Sequence, residues 1–366
     1  MRVALIAEQL RQPHSGGVGT YVEALARNLP AFAGREDRIE LIGARAPRGV
    51  DPLSALGLTV RDVGLPRPLM YEAWHRLRRP AIPGSPDLIH ATSLAVPPAE
   101  EARLVVTVHD LAFARAPAWF PARGRRFHAR GARLAAREAR LVLVPSQAAA
   151  ADVKLFMGVD ADRVRVTPLG VRPLPLPPDA EERRKRLGVQ SPYVLWVGTR
   201  EPRKNVPGLV RAFARAASAK WQLVLAGPPG WLEPDITGEA ERAGVGSRML
   251  ITGPVRSEDL AALYAGAGAF CLPSFHEGFG LPLLEAMAHG VPCLAADRAS
   301  LPEVGGEAAI YADPEEEEVM ADCLGRLLED EDLRARLAAA GPARAAEFTW
   351  ERTARLTWQA YQEALA

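Results

Sequence analysis

Cysteine is scarce in this chain, with three residues among 366. Cys271, Cys293 and Cys323 are an odd number, and their spacing matches no pattern of metal ligands. Two of them lie in the apolar runs AFCLP and VPCLA. We therefore expect reduced thiols that pack as small apolar side chains, and no metal site built from them.

A long apolar run is also lacking. No segment approaches the roughly 20 apolar residues that a helix needs to span a bilayer. The run near the start, within MRVALIAEQLRQP, is too short for the core of a signal peptide and predicts a first buried strand. These features predict a cytoplasmic protein.

The formal net charge is only +1, but residues 1–172 are basic and residues 173–366 are acidic. A chain of 366 residues exceeds the size at which a single core usually stops growing, so two domains are expected. The proline-rich stretch RPLPLPPD excludes a central strand or a helix interior and predicts a linker. The predicted parts are a first domain at 1–172, the linker at 173–180, a second domain at 181–349 and a last helix at 350–366.

What the chain has instead is a regular alternation of short apolar runs with segments of helical length. Such alternation predicts βα units and a parallel sheet in each half, and thus an α/β fold of two doubly wound, Rossmann-like domains that face each other across a cleft. Ligands of open α/β sheets bind beyond the carboxyl ends of the strands. The runs are RVALIA, IELIGA, LIHATS, LVVTVHD, ARLVLVPS and VRVTPL in the first half, and YVLWVGT, WQLVLAGP, RMLITGPV, GAFCLPS and VPCLAAD in the second.

The most informative stretch is LPSFHEGFGLPLLEAMAHGVPCLA, residues 272–295. It predicts a strand, then a loop with Gly278 and Gly280, then a helix, whose exposed N–H groups favour a phosphate. Glu285 is expected in the first turn of that helix, where it either holds a ribose diol or offsets the helix dipole. Glu277 in the loop either orients sugar hydroxyls or is a solvated acid.

A second stretch, VLWVGTREPRKN at residues 194–205, predicts a strand ending at Gly198 and a helix from about Val206. Between them lie Arg200, Arg203 and Lys204. Cations that follow a strand end are well placed to neutralise a departing diphosphate.

These tracts, EGFGLPLLEAMAHGVPCLA and VGTREPRKN, together with GGVGTYV near the start, resemble the retaining glycosyltransferases of family 4, which have the GT-B fold. The resemblance runs over most of the chain, and Glu277 and Glu285 around Gly-Phe-Gly are its most specific mark. It implies that Glu285 holds the donor ribose, that Glu277 contacts the donor sugar, and that Lys204 with Arg200 binds the diphosphate. It further implies that 1–172 is the acceptor-side domain, that 181–349 is the donor domain, and that the last helix at 350–366 crosses back to the first domain. The implied donor-binding set is Gly16, Gly17, Gly198, Thr199, Arg200, Lys204, Glu277, Gly278, Phe279, Gly280, Leu281 and Glu285.

In the first half, SGGVGTYVEALARNL at residues 15–29 places glycines directly before an amphipathic helix. Taken alone this is a weak phosphate-loop signal, because it lacks the P-loop and the dinucleotide spacing. The resemblance implies that Gly16 and Gly17 face the diphosphate. His109 ends the run LVVTVHD, and the matching residue in similar proteins contacts the donor sugar; His90, which ends another run, has no such motif support. The implied catalytic set is therefore His109, Glu277, Lys204 and Arg200.

Neither a metal nor a cofactor is expected. The acidic triplets at 160–162 and 330–332 lie in a predicted turn and a predicted acidic helix, away from strand ends. A GT-B enzyme can stabilise its leaving group with a helix dipole and cations alone.

Residues 123–140, RGRRFHARGARLAAREAR, contain seven arginines and one glutamate. A helix would align Arg126, Arg130, Arg133 and Arg137 on one face. This face is either simply solvated or contacts an anionic partner, such as a phospholipid surface or a diphosphate-linked lipid acceptor. Nucleic acid is not indicated, because aromatic and basic residues do not interleave as in a known module.

The function predicted from the sequence is transfer of a mannose- or glucose-type hexose from a nucleoside diphosphate sugar to a hydroxyl acceptor, with retention. It implies a cytoplasmic enzyme of glycan, glycolipid or polysaccharide biosynthesis. Two alternatives stay open: another GT-B enzyme, namely a sugar-nucleotide epimerase or a phosphorylase, and a non-catalytic protein that binds a nucleotide sugar. The base, the sugar, the acceptor and the oligomeric state are not encoded in any motif.

Overall fold

The computed structural model describes residues 1–12, 15–46 and 48–366. The chain forms two compact units. Unit 1 comprises residues 1–115, 122–170 and 349–366, and unit 2 comprises residues 116–121 and 171–348. Residues 116–121 therefore leave the first half of the chain to join unit 2, an excursion that the predicted boundaries do not contain.

Unit 1 is built on a seven-stranded parallel sheet with the strand order β3-β2-β1-β4-β5-β6-β7. The order reverses between β1 and β4, so these neighbouring strands form the switch point of the sheet. Its strands are β1 (Arg2–Ile6), β2 (Arg38–Gly43), β3 (Thr59–Asp62), β4 (Leu88–Ala91), β5 (Arg103–Thr107), β6 (Leu141–Val144) and β7 (Val164–Val166). Its helices up to the linker are α1 (Gly16–Asn28), α2 (Arg67–Leu77), α3 (Ala112–Arg115), α4 (Ala122–Glu138) and α5 (Gln147–Asp152).

Unit 2 is built on a six-stranded parallel sheet with the order β10-β9-β8-β11-β12-β13, which reverses between β8 and β11. Residues 171–177, which include most of the proline-rich stretch RPLPLPPD, contain no helix or strand. The strands are β8 (Tyr193–Val197), β9 (Gln222–Ala226), β10 (Met249–Gly253), β11 (Ala269–Leu272), β12 (Cys293–Ala296) and β13 (Ala309–Ala312). The helices are α6 (Ala180–Leu187), α7 (Val206–Ala216), α8 (Ile236–Arg242), α9 (Ser257–Gly266), α10 (Leu281–Ala288), α11 (Leu301–Gly305), α12 (Glu317–Glu329) and α13 (Glu331–Ala345).

The predicted α/β class with two Rossmann-like domains is confirmed. Every apolar run predicted as a strand contains one, because parallel strands are covered on both faces and stay apolar throughout. The strands β3 and β13 were not predicted. Strand β3, with the sequence TVRD, lies at the sheet edge and contains only one large apolar residue. Strand β13, with the sequence AIYA, is a run of only four residues.

The cysteines are free thiols, as expected. Cys271 and Cys293 are buried on the adjacent strands β11 and β12, and Cys323 is half-buried on α12. Burial raises the pKa of all three thiols. Cys271 and Cys293 therefore serve as small apolar side chains in the core of unit 2.

The last helix, α14 (Trp350–Leu365), belongs to unit 1. A buried network of hydrogen bonds fixes it: Tyr361 Oη lies 2.6 Å from His90 Nδ1, and Thr107 Oγ1 lies 2.7 Å from His90 Nε2. Thr107 Oγ1 is also 2.9 Å from the Tyr21 hydroxyl. Burial lowers the pKa of His90 to about 3, so its ring is neutral at pH 7. His90 is thus a core histidine that joins α14 to α1, β4 and β5.

Tyr361→Phe is expected to lower the free energy of unfolding by about 1–3 kcal/mol, because the substitution leaves a buried His90 nitrogen without its partner. Chemical denaturation monitored by circular dichroism measures this change. Tyr71→Phe is the matched control, because Tyr71 is a half-buried tyrosine of the same unit whose ring packs against Trp74 and Phe127, outside this network. An equal effect of the two substitutions would contradict the role assigned to the network.

Candidate donor site

Two loops lie side by side at the carboxyl edge of the sheet of unit 2. Residues 198–205 follow β8 and residues 273–280 follow β11, and these strands are neighbours at the point where the strand order reverses. In open α/β sheets this switch point is where ligands bind. The two stretches singled out in the sequence therefore meet at the position that the topology favours.

Close packing of the backbone shapes this edge. A Cβ atom on Gly227, which follows β9, would lie 1.9 Å from the carbonyl oxygen of Gly198. Gly280, with φ of +101°, precedes α10, and a Cβ atom there would lie 2.5 Å from Leu301 Cδ2. Glycine is required at both positions because a side chain has no room and φ is positive.

Glu277 is the most strongly held side chain of the site. Its carboxylate accepts hydrogen bonds from Lys204 Nζ at 2.5 Å, Ser274 Oγ at 2.7 Å and Arg203 Nη1 at 2.9 Å. The Ser300 hydroxyl donates to the Glu277 carbonyl oxygen at 2.9 Å. Burial opposes ionisation, but the charges of Lys204 and Arg203 outweigh it and lower the pKa of Glu277 to about 2. Glu277 is thus a buried carboxylate, and its interpretation as a solvated loop acid is wrong.

The cations after β8 separate into two groups. Lys204 and Arg203 both bind Glu277, and Arg203 also pairs with Glu201 at 3.0 Å. Arg200 instead forms an ion pair with Glu233 and donates to the Gly227 carbonyl oxygen at 2.6 Å. The structure therefore brings Lys204 together with Glu277 but places Arg200 with the loop after β9.

Three polar partners of Glu277 were not selected from the sequence. They are Ser274, Ser300 and Arg203. Ser274 stands three residues before Glu277, which was the one available signal. Arg203 was noted only as part of a basic cluster. Ser300 lies on a distant segment, and its contact follows from the fold alone.

Glu285 lies in the second turn of α10, which begins at Leu281, so the expectation of a first-turn position is wrong. The alternative that Glu285 offsets the dipole of α10 is therefore disfavoured, because the interaction of a charge with the helix dipole falls off within the first turn. Tyr264 Oη donates to Glu285 Oε2 at 2.8 Å. Burial raises the pKa of Glu285 to about 7, and the Tyr264 hydrogen bond opposes this rise. The carboxyl group is poised to change its charge near neutral pH.

The other residues of the implied donor-binding set differ in how far they are exposed. Thr199 follows Gly198 and is half-exposed, and Phe279 is buried against Phe348 at 5.7 Å between ring centroids. Gly278 is buried, and Leu281 begins α10, whose first turn contains Pro282. No cluster of three or more metal-binding side chains occurs among the described residues.

In unit 1, Gly16 and Gly17 are exposed at the beginning of α1, which follows β1. His109 follows β5, and its Nε2 lies 2.9 Å from the Thr92 carbonyl oxygen after β4. A carbonyl oxygen only accepts, so Nε2 carries the proton. Burial lowers the pKa of His109, which leaves Nδ1 as a neutral acceptor. Tyr21 packs edge-on against the His109 ring, with 5.0 Å between the ring centroids.

Ser146 has a structural role: it caps α5 by accepting a hydrogen bond from the Ala149 N–H at 3.0 Å.

The basic segment forms α4. Arg126, Arg133 and Arg137 are exposed, whereas Arg130 is half-buried and lies 3.7 Å from Glu72. Arg137 pairs with Glu138 at 2.5 Å. No helix of the described chain has the length and apolarity to cross a membrane.

The two Rossmann-like units, one of which carries a buried Lys204–Glu277 pair at its switch point, have the architecture expected of a nucleotide-sugar glycosyltransferase. The family model described as Glycosyltransferase Family 4 matches residues 15–173, and the model described as Glycosyl transferases group 1 matches residues 179–344. O-antigen chain mannosyltransferase B of Escherichia coli is 33% identical over 310 residues, which cover 81% of each chain. A D-inositol 3-phosphate glycosyltransferase of Acidothermus cellulolyticus is 32% identical and covers 100% of this chain and 91% of the relative. The chain belongs to glycosyltransferase family 4.

Solved structures agree on the fold. Sucrose-phosphate synthase from Thermosynechococcus elongatus superposes with a TM-score of 0.79 at 23% identity, covering 99% of this chain and 98% of that one. Anabaena HepE in complex with UDP-glucose gives a TM-score of 0.75 at 20% identity over 99% and 100% of the chains. The structural matches confirm the predicted fold. The family models and the relatives confirm the predicted family and the predicted class of enzyme, a hexosyltransferase that uses a nucleotide-sugar donor.

Proposed function

We propose that the protein transfers a mannose- or glucose-type hexose from a nucleoside diphosphate sugar to a hydroxyl acceptor, with retention of the anomeric configuration. The observation that carries this proposal is the buried carboxylate of Glu277, held by Lys204 and Arg203 at the switch point of unit 2. Mannosyltransferases among the relatives support the choice of sugar. The enzyme would act in glycan, glycolipid or polysaccharide biosynthesis.

In this proposal Lys204 stabilises the negative charge that develops on the leaving diphosphate. Its ammonium is already placed by Glu277, so little reorganisation is needed when that charge appears. The N–H groups of Gly280 and Leu281, at the start of α10, add the positive end of a helix dipole. These groups act without a metal ion or a cofactor. Arg200 contributes through the loop after β9, because its guanidinium is paired with Glu233.

Glu277 also contacts the hydroxyls of the donor sugar, since a carboxylate with a pKa near 2 accepts hydrogen bonds at any physiological pH. Glu285 binds the ribose diol with the oxygen that Tyr264 does not occupy. His109 contacts the donor sugar through its neutral ring, and Gly16 and Gly17 face the diphosphate. The leaving phosphate oxygen takes the proton of the acceptor hydroxyl in a front-face displacement.

On the acceptor side we propose that the exposed arginines of α4, within residues 123–140, contact an anionic group. Arg126 and Arg133 are exposed, and the ion pairs given for the other two arginines of this face are those of Arg130 with Glu72 and of Arg137 with Glu138. A lipid-linked acceptor, or the anionic inner face of a membrane to which a cytoplasmic enzyme binds peripherally, has this chemistry. No nucleic acid is involved.

The proposed reaction is tested by incubating the protein with GDP-mannose or UDP-glucose and a panel of hydroxyl acceptors. Proton NMR of the product gives the anomeric configuration through the H1–H2 coupling of a glucoside. An α-linked product from the α-linked donor is expected. A β-linked product would refute retention. Release of a sugar 1-phosphate from a glycan and inorganic phosphate, with no nucleotide sugar present, would identify a phosphorylase.

The affinity for a donor sugar is expected to fall as the pH drops below about 7. The ribose diol donates to an ionised carboxylate, and the Glu285 carboxyl takes up a proton near that pH. Calorimetry between pH 5.5 and 8.5 measures the effect, with an intact nucleotide sugar because its diphosphate diester does not titrate there. Glu285→Gln should bind weakly with little dependence on pH. An equal pH dependence in wild type and Glu285→Gln would contradict the assignment.

A further inference from the structure

Residues 116–121 lie between α3 and α4 of unit 1 but belong to unit 2. We call this segment the aromatic strap. It contains a short turn of 3-10 helix at Pro117–Trp119, followed by Phe120. Trp119 and Phe120 are half-buried, although the segment around them is mostly exposed. Two large apolar side chains are therefore covered in a stretch that has little core of its own.

The strap packs on the donor loop after β11. The Trp119 ring stacks on Phe275 with 5.7 Å between centroids and 16° between planes. Phe275 stands two residues before Glu277, and its N–H donates to the Arg203 carbonyl oxygen at 2.8 Å. The strap thus packs on Phe275, the residue that joins the loop carrying Glu277 to the loop carrying Arg203.

The strap also binds the loop after β9. Trp231 Nε1 donates to the Trp119 carbonyl oxygen at 2.9 Å, and the Phe120 ring lies 5.5 Å from that of Trp231. Trp231 stands two residues before Glu233, which pairs with Arg200. A Cβ atom on Gly230 would lie 2.6 Å from the Arg200 carbonyl oxygen, so this loop packs tightly on residues 198–205.

We propose that the aromatic strap is a positioning element of the donor site, in which Trp119 and Phe120 fix the loops after β9 and β11 around the donor diphosphate. The strap reaches Arg203 through Phe275, and through Trp231 it reaches the loop that carries Glu233, the partner of Arg200. Trp119 is accordingly a positioning residue, because it acts through Phe275. This inference rests on the proposed function as regards the diphosphate, but the contacts of the strap exist without a ligand.

The test compares Trp119→Leu with Trp221→Leu in the full chain. Trp221 is a buried tryptophan at the amino end of β9, next to Gly268, so its loss costs stability away from the donor loops. Trp119→Leu should weaken binding of GDP-mannose or UDP-glucose about tenfold, the upper range for one aromatic pair. Trp119→Phe should restore binding to within about threefold, and Trp221→Leu should leave it unchanged despite a lower melting temperature.

Hydrogen–deuterium exchange without ligand provides the second readout. Residues 198–205 and 273–280 should exchange faster in Trp119→Leu than in wild type, and not in Trp221→Leu. Unchanged donor affinity and unchanged exchange in a folded Trp119→Leu protein would overturn the proposal. If wild type binds no nucleotide sugar, the proposed function fails, and the exchange measurement then decides alone whether the strap positions the loops.

Discussion

Replacing Lys204 with alanine is expected to lower the turnover number about 10²- to 10³-fold, the effect of removing one preorganised group that stabilises developing negative charge. The reason is that the Lys204 ammonium is buried and held 2.5 Å from Glu277, so no solvent ion replaces it easily. Glu277 keeps Arg203 and Ser274 as partners, so the variant should remain folded. Steady-state release of nucleoside diphosphate measures the change.

Lys220→Ala is the matched control, because Lys220 is an exposed lysine of the same unit. Its turnover should equal that of wild type. A Lys204→Ala enzyme that retains turnover within about fivefold of wild type would remove Lys204 from the role of stabilising the leaving group, since the expected loss is at least about a hundredfold.

The second large effect concerns stability. Glu277→Ala should lower the free energy of unfolding by about 3–5 kcal/mol, because it leaves the buried Lys204 without its carboxylate. The half-buried Arg203 also loses one of its two carboxylate partners. Urea denaturation at pH 7 gives this value. Glu318→Ala removes an exposed carboxylate that pairs with Arg215 at 3.1 Å, and it should cost no more than about 1 kcal/mol.

The stability that Glu277 contributes should also depend on pH. The pKa of Glu277 is about 2 in the folded protein against 4.5 for the unperturbed group, so its contribution is complete above about pH 4.5 and is lost as the pH falls toward 2. The difference in stability between wild type and Glu277→Ala should therefore be constant from pH 6 to 8 and narrow at pH 3.5. A difference that widened at pH 3.5 would mean that the carboxylate is not held in its ionised form.

Much of the fold follows from local sequence patterns. The apolar runs marked the buried strands because a parallel sheet requires apolar residues on both faces. The tract from Leu272 to Ala295 indicated a strand, a glycine-containing loop and a helix that begins near Pro282, and the structure contains these elements at those places. The edge strand β3 was not predicted, because its mostly exposed residues form no apolar run.

The arrangement of charges at the site did not follow from the sequence. Arg200, Arg203 and Lys204 stand within five residues, and no local pattern tells which of them faces Glu277. That choice depends on the loop after β9, whose Glu233 attracts Arg200. The aromatic strap could not be foreseen either, because its partners Trp231 and Phe275 are more than a hundred residues away.

The central claim is that unit 2 holds a nucleoside diphosphate sugar through Glu277, Lys204 and Glu285. Calorimetric titration of the protein with UDP, GDP, ADP and dTDP, repeated on Glu285→Ala, tests it most directly. We predict binding of one nucleotide in the micromolar range, abolished or strongly weakened by Glu285→Ala. Binding of none of the four by a protein shown to be folded would contradict the claim.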